Sequence, residues 1–246
     1  LRYAISIPKS EIWEAHVEAK ARLIDEVHRR IGMSLKPDVL TIGFARRATP
    51  YKRTDLLFSD PGQLMQIAGT VGPIQLVFAG KSHPKDEPGK DLIRRVFHFA
   101  RQLKDQIPIA YLENYDIELG RLLTSGVDLW LNTPLRPLEA SGTSGMKAAH
   151  NGVPSFSILD GWWIEGHIEG VTGWSIGPGL MNRADALSVD GRDAQELYSK
   201  LRMVIVPMFY QDRDRWIDIM RQTVAFNASF FNTHRMVQQY AAQAYV

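Results

Sequence analysis

The chain contains no cysteine, so disulfides and thiolate metal sites are excluded, as is usual for a protein of a reducing compartment. The expected location is the cytoplasm. No apolar run approaches the roughly 18–20 residues of a membrane span, and no basic segment followed by an apolar one opens the sequence. Net charge is only +2, so neither a nucleic acid nor a polybasic membrane contact is indicated. The seven histidines are scattered without H-E-x-x-H spacing, and no metal site is expected. The dinucleotide pattern G-x-G-x-x-G is missing too.

What is present is the composition of an ordinary globular protein: 246 residues, 45% hydrophobic and 23% charged, ample for a buried core. The sequence starts at Leu1 and passes almost at once into a helical pattern; it reads as a piece of a longer polypeptide. Trp13, Val17, Ile24, Val27 and Ile31 recur at helical steps and predict a helix over 10–31 that packs along this stripe, with Gly32 as its stop. Short apolar runs follow at 39–45, 74–79, 109–112, 127–132 and 155–159, with helices expected over 56–67, 91–105 and 117–123. Continuous apolar strands alternating with helices predict an α/β fold, a Rossmann-like doubly wound parallel sheet with flanking N- and C-terminal helices. Helices are expected over 194–206, 214–228 and 234–244, the first two separated by Pro207. The expected division is a leading helix (1–37), a core (38–190) and C-terminal helices (191–246) in one domain.

The polar residues gather after the strands, where ligands bind in such sheets. Arg46, Arg47, Lys52 and Arg53 make a cationic loop after the first strand, suited to phosphate oxygens but also readable as a solvated basic turn. Gly80-Lys81-Ser82 imitates the end of a P-loop, yet Gln75 stands where its first glycine is required, which excludes a nucleoside triphosphatase. Asp160-Gly-Trp-Trp-Ile-Glu165 and Gly173-Trp174 suit either carbohydrate contact or core packing. The richest segment is Glu139-Ala-Ser-Gly-Thr-Ser-Gly-Met-Lys147. A glycine-rich turn entering a helix, expected over 147–151, exposes unpaired N–H groups to an anion. Lys147 could hold an aldehyde cofactor covalently, its phosphate resting on those N–H groups.

Glu139–Lys147, Leu112-Glu-Asn-Tyr115 and Arg47-x-x-x-x-Lys52 occur in the order and spacing of the α-glucan (glycogen, starch, maltodextrin) phosphorylases, and the chain resembles the C-terminal half of such an enzyme over nearly its whole length. The resemblance implies the second domain of a GT-B glycosyltransferase, with the N-terminal domain missing, and a possible homodimer. It implies pyridoxal 5′-phosphate attached to Lys147 as a Schiff base, and retaining phosphorolysis of an α-1,4-glucan by inorganic phosphate to give α-glucose 1-phosphate. Transferred by position, Arg47 and Lys52 would bind the substrate phosphate, and Glu139 with the backbone at Ser141 and Gly142 the sugar hydroxyls. Thr143 and Ser144 would donate N–H groups to the cofactor phosphate, with Arg46 touching it and Tyr115 close by.

Three departures from the family pattern concern these contacts. Asp116 occupies the position of an arginine, Thr49 that of a histidine, and Ser144-Gly145 replaces Gly-Asn. A nucleotide-sugar-dependent glycosyltransferase of the glycogen-synthase type shares the architecture and the Arg/Lys pair, but has no use for a Schiff base at Lys147. A non-catalytic glucan-binding or scaffold domain is the remaining reading, against which an intact Lys147 and cationic loop argue. With one wall of a two-domain cleft missing, the isolated chain is expected to be inactive.

Overall fold

The computed structural model describes residues 1–177 and 189–245; residues 178–188, which the expected core at 38–190 includes, lie outside the described residues. Six strands form one sheet: β1 (Leu40–Ala45), β2 (Ile74–Ala79), β3 (Ile109–Leu112), β4 (Leu129–Asn132), β5 (Ser155–Ile158) and β6 (Gly173–Ile176). Their order is β3-β2-β1-β4-β5-β6, and every neighbouring pair is parallel. Every strand residue is buried, as a sheet covered on both faces requires. The chain builds outward through β2 and β3, then returns to add β4 on the other side of β1. The connections leaving β1 and β4 therefore diverge and open a crevice at their carboxyl ends.

Ten α-helices complete the fold: α1 (Lys9–Ile31), α2 (Pro61–Thr70), α3 (Glu87–Gln102), α4 (Ile117–Gly126), α5 (Thr143–His150), α6 (Trp163–Gly166), α7 (Val189–Lys200), α8 (Val206–Gln211), α9 (Arg213–Gln222) and α10 (Thr233–Ala244) among the described residues. On one face of the sheet Leu64, Ile67, Val96, Leu197 and Trp216 pack against Ile42, Phe44, Leu76 and Phe78. On the other, Leu23 and Val27 of α1, Leu119 and Leu123 of α4 and Ala148 of α5 cover Val77, Ala79 and Trp130. No helix of the described residues is long and apolar enough to cross a membrane.

Several expected elements differ. The helix expected over 56–67 is two pieces, a 3-10 turn at Leu56–Phe58 and then α2. Asp60 caps α2 by accepting the Gln63 N–H, and Pro61 follows at its first turn, so the chain restarts there. Pro207 does not end a helix: α7 continues through a π turn at Leu201–Ile205 into α8, and the break falls at Asp212, which caps α9. Wider i→i+5 bonding lets the carbonyls ahead of Pro207 reach donors beyond it, so the missing proline N–H does not end the helix. The 147–151 helix begins four residues earlier, at Thr143. β6 was not anticipated; Gly173 allows it, because a Cβ there would lie 2.1 Å from the Ser155 carbonyl oxygen.

The buried face of α1 is also not the apolar stripe alone. Val17 and Ile31 are exposed, whereas His16, Ala19, Lys20, Leu23 and Val27 are buried. Two ionisable residues enter the interior because Asp128, ahead of β4, meets them there. Its carboxylate accepts from Lys20 Nζ at 2.6 Å and the Thr41 N–H at 2.7 Å, and lies 2.8 Å from His16 Nε2. Lys20 Nζ also donates to the Val39 carbonyl at 2.7 Å. The cluster ties α1 to β1 and β4 at the end of the sheet opposite the crevice.

Burial by itself would raise the Asp128 pKa, but the charge of Lys20 and the hydrogen bond from His16 hold it below the usual carboxylate value. The stabilisation is therefore complete above the unfolded-state pKa of about 3.9 and is lost as pH falls through the lower folded value. Asp128→Ala, which leaves Lys20 buried and unpaired, is expected to cost about 3–5 kcal/mol. Urea denaturation at pH 7 measures the loss, and the gap between wild type and variant should narrow as pH drops below 4.

Candidate functional site

The loop leaving β1 builds the first wall of the crevice. Arg46 N–H bonds the Ala79 carbonyl at 3.1 Å and Ala48 N–H that of Lys81 at 3.0 Å, so the chain follows β2 for a few more residues. Gly80 is required beside it: an added Cβ would stand 2.1 Å from the Arg46 carbonyl oxygen. A 3-10 turn at Pro50–Lys52 then points Lys52 back over the strand ends, its Nζ 4.5 Å from the centre of the Tyr51 ring.

The loop leaving β4 builds the second wall, and the two are latched together. Leu135 N–H donates to the Tyr51 carbonyl at 2.7 Å, and Thr133 Oγ1 to the Lys52 and Arg53 carbonyls at 3.1 and 3.0 Å. Arg53, expected to join the cationic loop, turns inward instead. Its backbone is left-handed (φ 47°), and its guanidinium donates to the Thr133 and Pro134 carbonyls and to Asp190 and Asp193. Buried itself and bonded to the loop after β4 as well as to Asp190 and Asp193, it is a strut between the walls.

Between the walls lies an open cleft of about 460 Å³ lined by Ala45, Arg46, Arg47, Thr49, Tyr51, Lys52 and residues 139–144. One Glu139 carboxylate oxygen accepts from both Arg46 Nη2 and Lys52 Nζ. Burial would raise the Glu139 pKa, but the Lys52 hydrogen bond and the Arg46 charge lower it below the ordinary value. Burial pulls the Arg46 pKa down against the opposing charges of Glu139, Tyr51 and Asp160; a guanidinium nevertheless stays charged at neutral pH. Arg46 Nη1 and Thr49 Oγ1 are buried and have no partner among the described residues. Arg47 is exposed, with no side-chain hydrogen bond or ion pair among the described residues.

Gly142 enters α5 in the left-handed conformation (φ 85°), which a glycine adopts without cost. The N–H groups of Thr143 and Ser144 begin the helix, where backbone donors are unpaired and the macrodipole is positive. Lys147 is one turn further along. It is exposed, has no side-chain partner among the described residues and does not line the cleft. Four residues after Thr143, it shares that residue's side of α5. Tyr115 is half-buried over Gly120, where an added Cβ would meet its hydroxyl at 2.7 Å; burial and the Asp116 charge raise its pKa. It too lies outside the cleft lining.

Arg46, Arg47, Lys52, Glu139, Ser141, Gly142, Thr143 and Ser144 thus line one cleft. Asp116 caps α4 by accepting the Leu119 N–H at 2.8 Å, which gives the aspartate a local reason to be there. The tryptophans after β5 do not offer a sugar platform: Trp162 and Trp163 are buried, as is Trp174 of β6. Trp162 instead supports α5 from below, since an added Cβ on Gly145 would come within 2.7 Å of its indole nitrogen. Thr133, Gly80 and Asp160 also shape the walls and were not singled out for that from the sequence; only their place just after strand ends marked them. Among the described residues no group of three or more His, Cys, Asp or Glu side chains could hold a metal ion.

Residues 8–172 match the family model for carbohydrate phosphorylases. The chain is 41% identical over 252 residues to the maltodextrin phosphorylase of Thermococcus litoralis, an alignment covering 97% of this chain and 30% of the relative. It is 41% identical over 266 residues to the glycogen phosphorylase of Aquifex aeolicus, covering 97% and 37%. The glycogen phosphorylase of Mycobacterium bovis is 39% identical over 262 residues, covering 97% and 30%. The chain therefore spans about a third of the length of these relatives.

The cations that flank Glu139 should keep it ionised in mildly acidic solution. A carbon-13 NMR titration of its carboxyl carbon is expected to find a midpoint below the ordinary glutamate value of about 4.3. Removing Lys52 as Lys52→Met should move that midpoint upward, since burial then acts with one cation fewer against it.

Proposed function

Because the chain belongs to the carbohydrate phosphorylase family, we propose that it is the cofactor- and phosphate-binding part of a retaining α-1,4-glucan phosphorylase. In that reaction the bond from the terminal glucose C1 to the glycosidic oxygen breaks, a bond from C1 to a phosphate oxygen forms, and a proton passes to the departing glucan hydroxyl. The observation that carries the reading is the convergence of Arg46, Arg47 and Lys52 on Glu139 and the start of α5, at the crevice where strand order reverses.

Arg47, which has no partner among the described residues, and Lys52 bind the incoming phosphate. Glu139 and the backbone at Ser141 and Gly142 hold the sugar hydroxyls. A phosphate entering here shares Lys52 and Arg46 with the Glu139 carboxylate, so each cation serves two anions and the repulsion between those anions is offset. Positive charge develops on the sugar as its glycosidic bond breaks, and a phosphate held against that face stabilises it.

The residues present also suit pyridoxal 5′-phosphate. Thr143 and Ser144 N–H groups, with Arg46 Nη1 and Thr49 Oγ1, which have no partner among the described residues, would provide donors for a phosphate monoester. Lys147, on the same side of α5 and without a side-chain partner among the described residues, would provide the amine, and Tyr115 would lie close to the bound group. Bound there, the cofactor would supply a second phosphate group, whose pKa near 6 lets it exchange a proton at neutral pH. Asp116, occupied as a helix cap, contributes nothing to it.

Borohydride reduction of the full-length protein loaded with the cofactor, followed by peptide mapping, should place the pyridoxyl group on Lys147, and Lys147→Ala should abolish labelling. A label on another lysine would refute that assignment. With maltoheptaose and inorganic phosphate, the loaded full-length protein should release glucose 1-phosphate, while the isolated 246 residues release little. Arg47→Ala in the full-length protein should raise the KM for phosphate at least tenfold. Transfer from a nucleotide sugar without phosphate dependence would overturn the reading in favour of a glycosyltransferase of the synthase kind.

A further inference from the structure

We propose that Asp160 is a positioning residue for Glu139, acting through the backbone of the loop that carries it; its importance for function rests on the reading of the cleft given above. Asp160 follows β5 and is buried. Its Oδ2 accepts the Glu139 N–H at 2.9 Å and its Oδ1 the Gly161 N–H at 3.0 Å. The next residue brings the two backbones into contact. Gly161 is left-handed (φ 57°), and a Cβ there would lie 2.5 Å from the Ser141 carbonyl oxygen and 3.0 Å from that of Glu139. Trp162 then donates its N–H to the Ser141 carbonyl at 2.8 Å, while its indole underlies Gly142 and Gly145. Residues 160–162 thus grip the segment from Glu139 to Gly145 from behind, and none of the three lines the cleft.

The chemistry explains why a carboxylate stands at 160. Two N–H donors from different loops meet its two oxygens, and only an aspartate can accept both from this position. An asparagine keeps one acceptor and turns an NH₂ toward the other donor, whereas an alanine leaves both N–H groups without the carboxylate. Glu139 is then fixed at both ends, its amide by Asp160 and its carboxylate by Arg46 and Lys52. Without the amide anchor, the segment between Thr133 and Gly142, which has no regular secondary structure, can carry the carboxylate away from the cations.

Amide hydrogen exchange by NMR on the 246-residue chain tests the anchor directly. Asp160→Ala should speed exchange at the Glu139 N–H at least tenfold, Asp160→Asn by less, with β1 and β2 amides unchanged in both. Calorimetry with inorganic phosphate tests the action through Glu139. Both variants remove the same charge, so a difference between their phosphate Kd values reports the anchor. It should be at least threefold with Glu139 present and vanish in the Glu139→Gln background, because coupled residues are non-additive. Unchanged exchange at Glu139, faster exchange throughout the sheet, or an Ala–Asn difference that survives Glu139→Gln would each overturn the proposal. A wild-type chain that binds no phosphate would count against the phosphate site instead, and the exchange result would then decide the role of Asp160 alone.

Discussion

The six strands of the described residues all run the same way, so the chain must cross back over the sheet between each strand and the next, and this constraint places everything else. Crossing first to one side of β1 and later to the other leaves adjacent strands whose exits diverge. Only there can two loops face each other without a crossover helix filling the space between them. The cationic loop after β1 and the Glu139 loop after β4 occupy those two exits. They are joined across the gap by Leu135 to Tyr51, Thr133 to Lys52 and Arg53 to Thr133 and Pro134. The crevice follows from topology, and the latch gives it a defined width.

Charge is placed unevenly within that frame. Asp128 pairs with Lys20 and His16 in a buried cluster at the far end of the sheet, and Arg53 is consumed by two aspartates and two carbonyls. At the crevice Arg46, Arg47 and Lys52 face one lining carboxylate among the described residues, where an Arg46 nitrogen is also buried without a partner. A buried donor without an acceptor costs free energy that an anion would recover. Glycine backbones at 80, 142 and 161 let the loops approach closely enough to focus this charge.

Much of the fold was legible in the sequence because buried parallel strands read as short apolar runs. Each of the strands β1 to β5 ends within one residue of the expected position and starts within two. β6, no shorter than β3, β4 or β5, was hidden because its Gly173-Trp174 resembled an aromatic loop rather than an apolar run. The packing face of α1 misled by periodicity: Val17 and Ile31 point outward, while Lys20 and His16 are drawn in by a residue more than a hundred positions away. Pro207 looked like a break because local rules know nothing of the π turn that absorbs it.

The sequence by itself determined the local chemistry: a glycine-rich entry into α5, a lysine one turn on, a cationic loop after a strand and a glutamate ahead of the turn. These depend on residue type and short spacing. Tertiary structure decided which of those groups share a cleft. It brought Arg46 and Lys52 onto Glu139, about ninety residues later, and turned Arg53 inward. It also buried Trp162 and Trp163 behind α5 and gave Asp160 its hold on the Glu139 amide. The physical reason is the return of the chain at β4, which makes neighbours of residues that no local pattern connects.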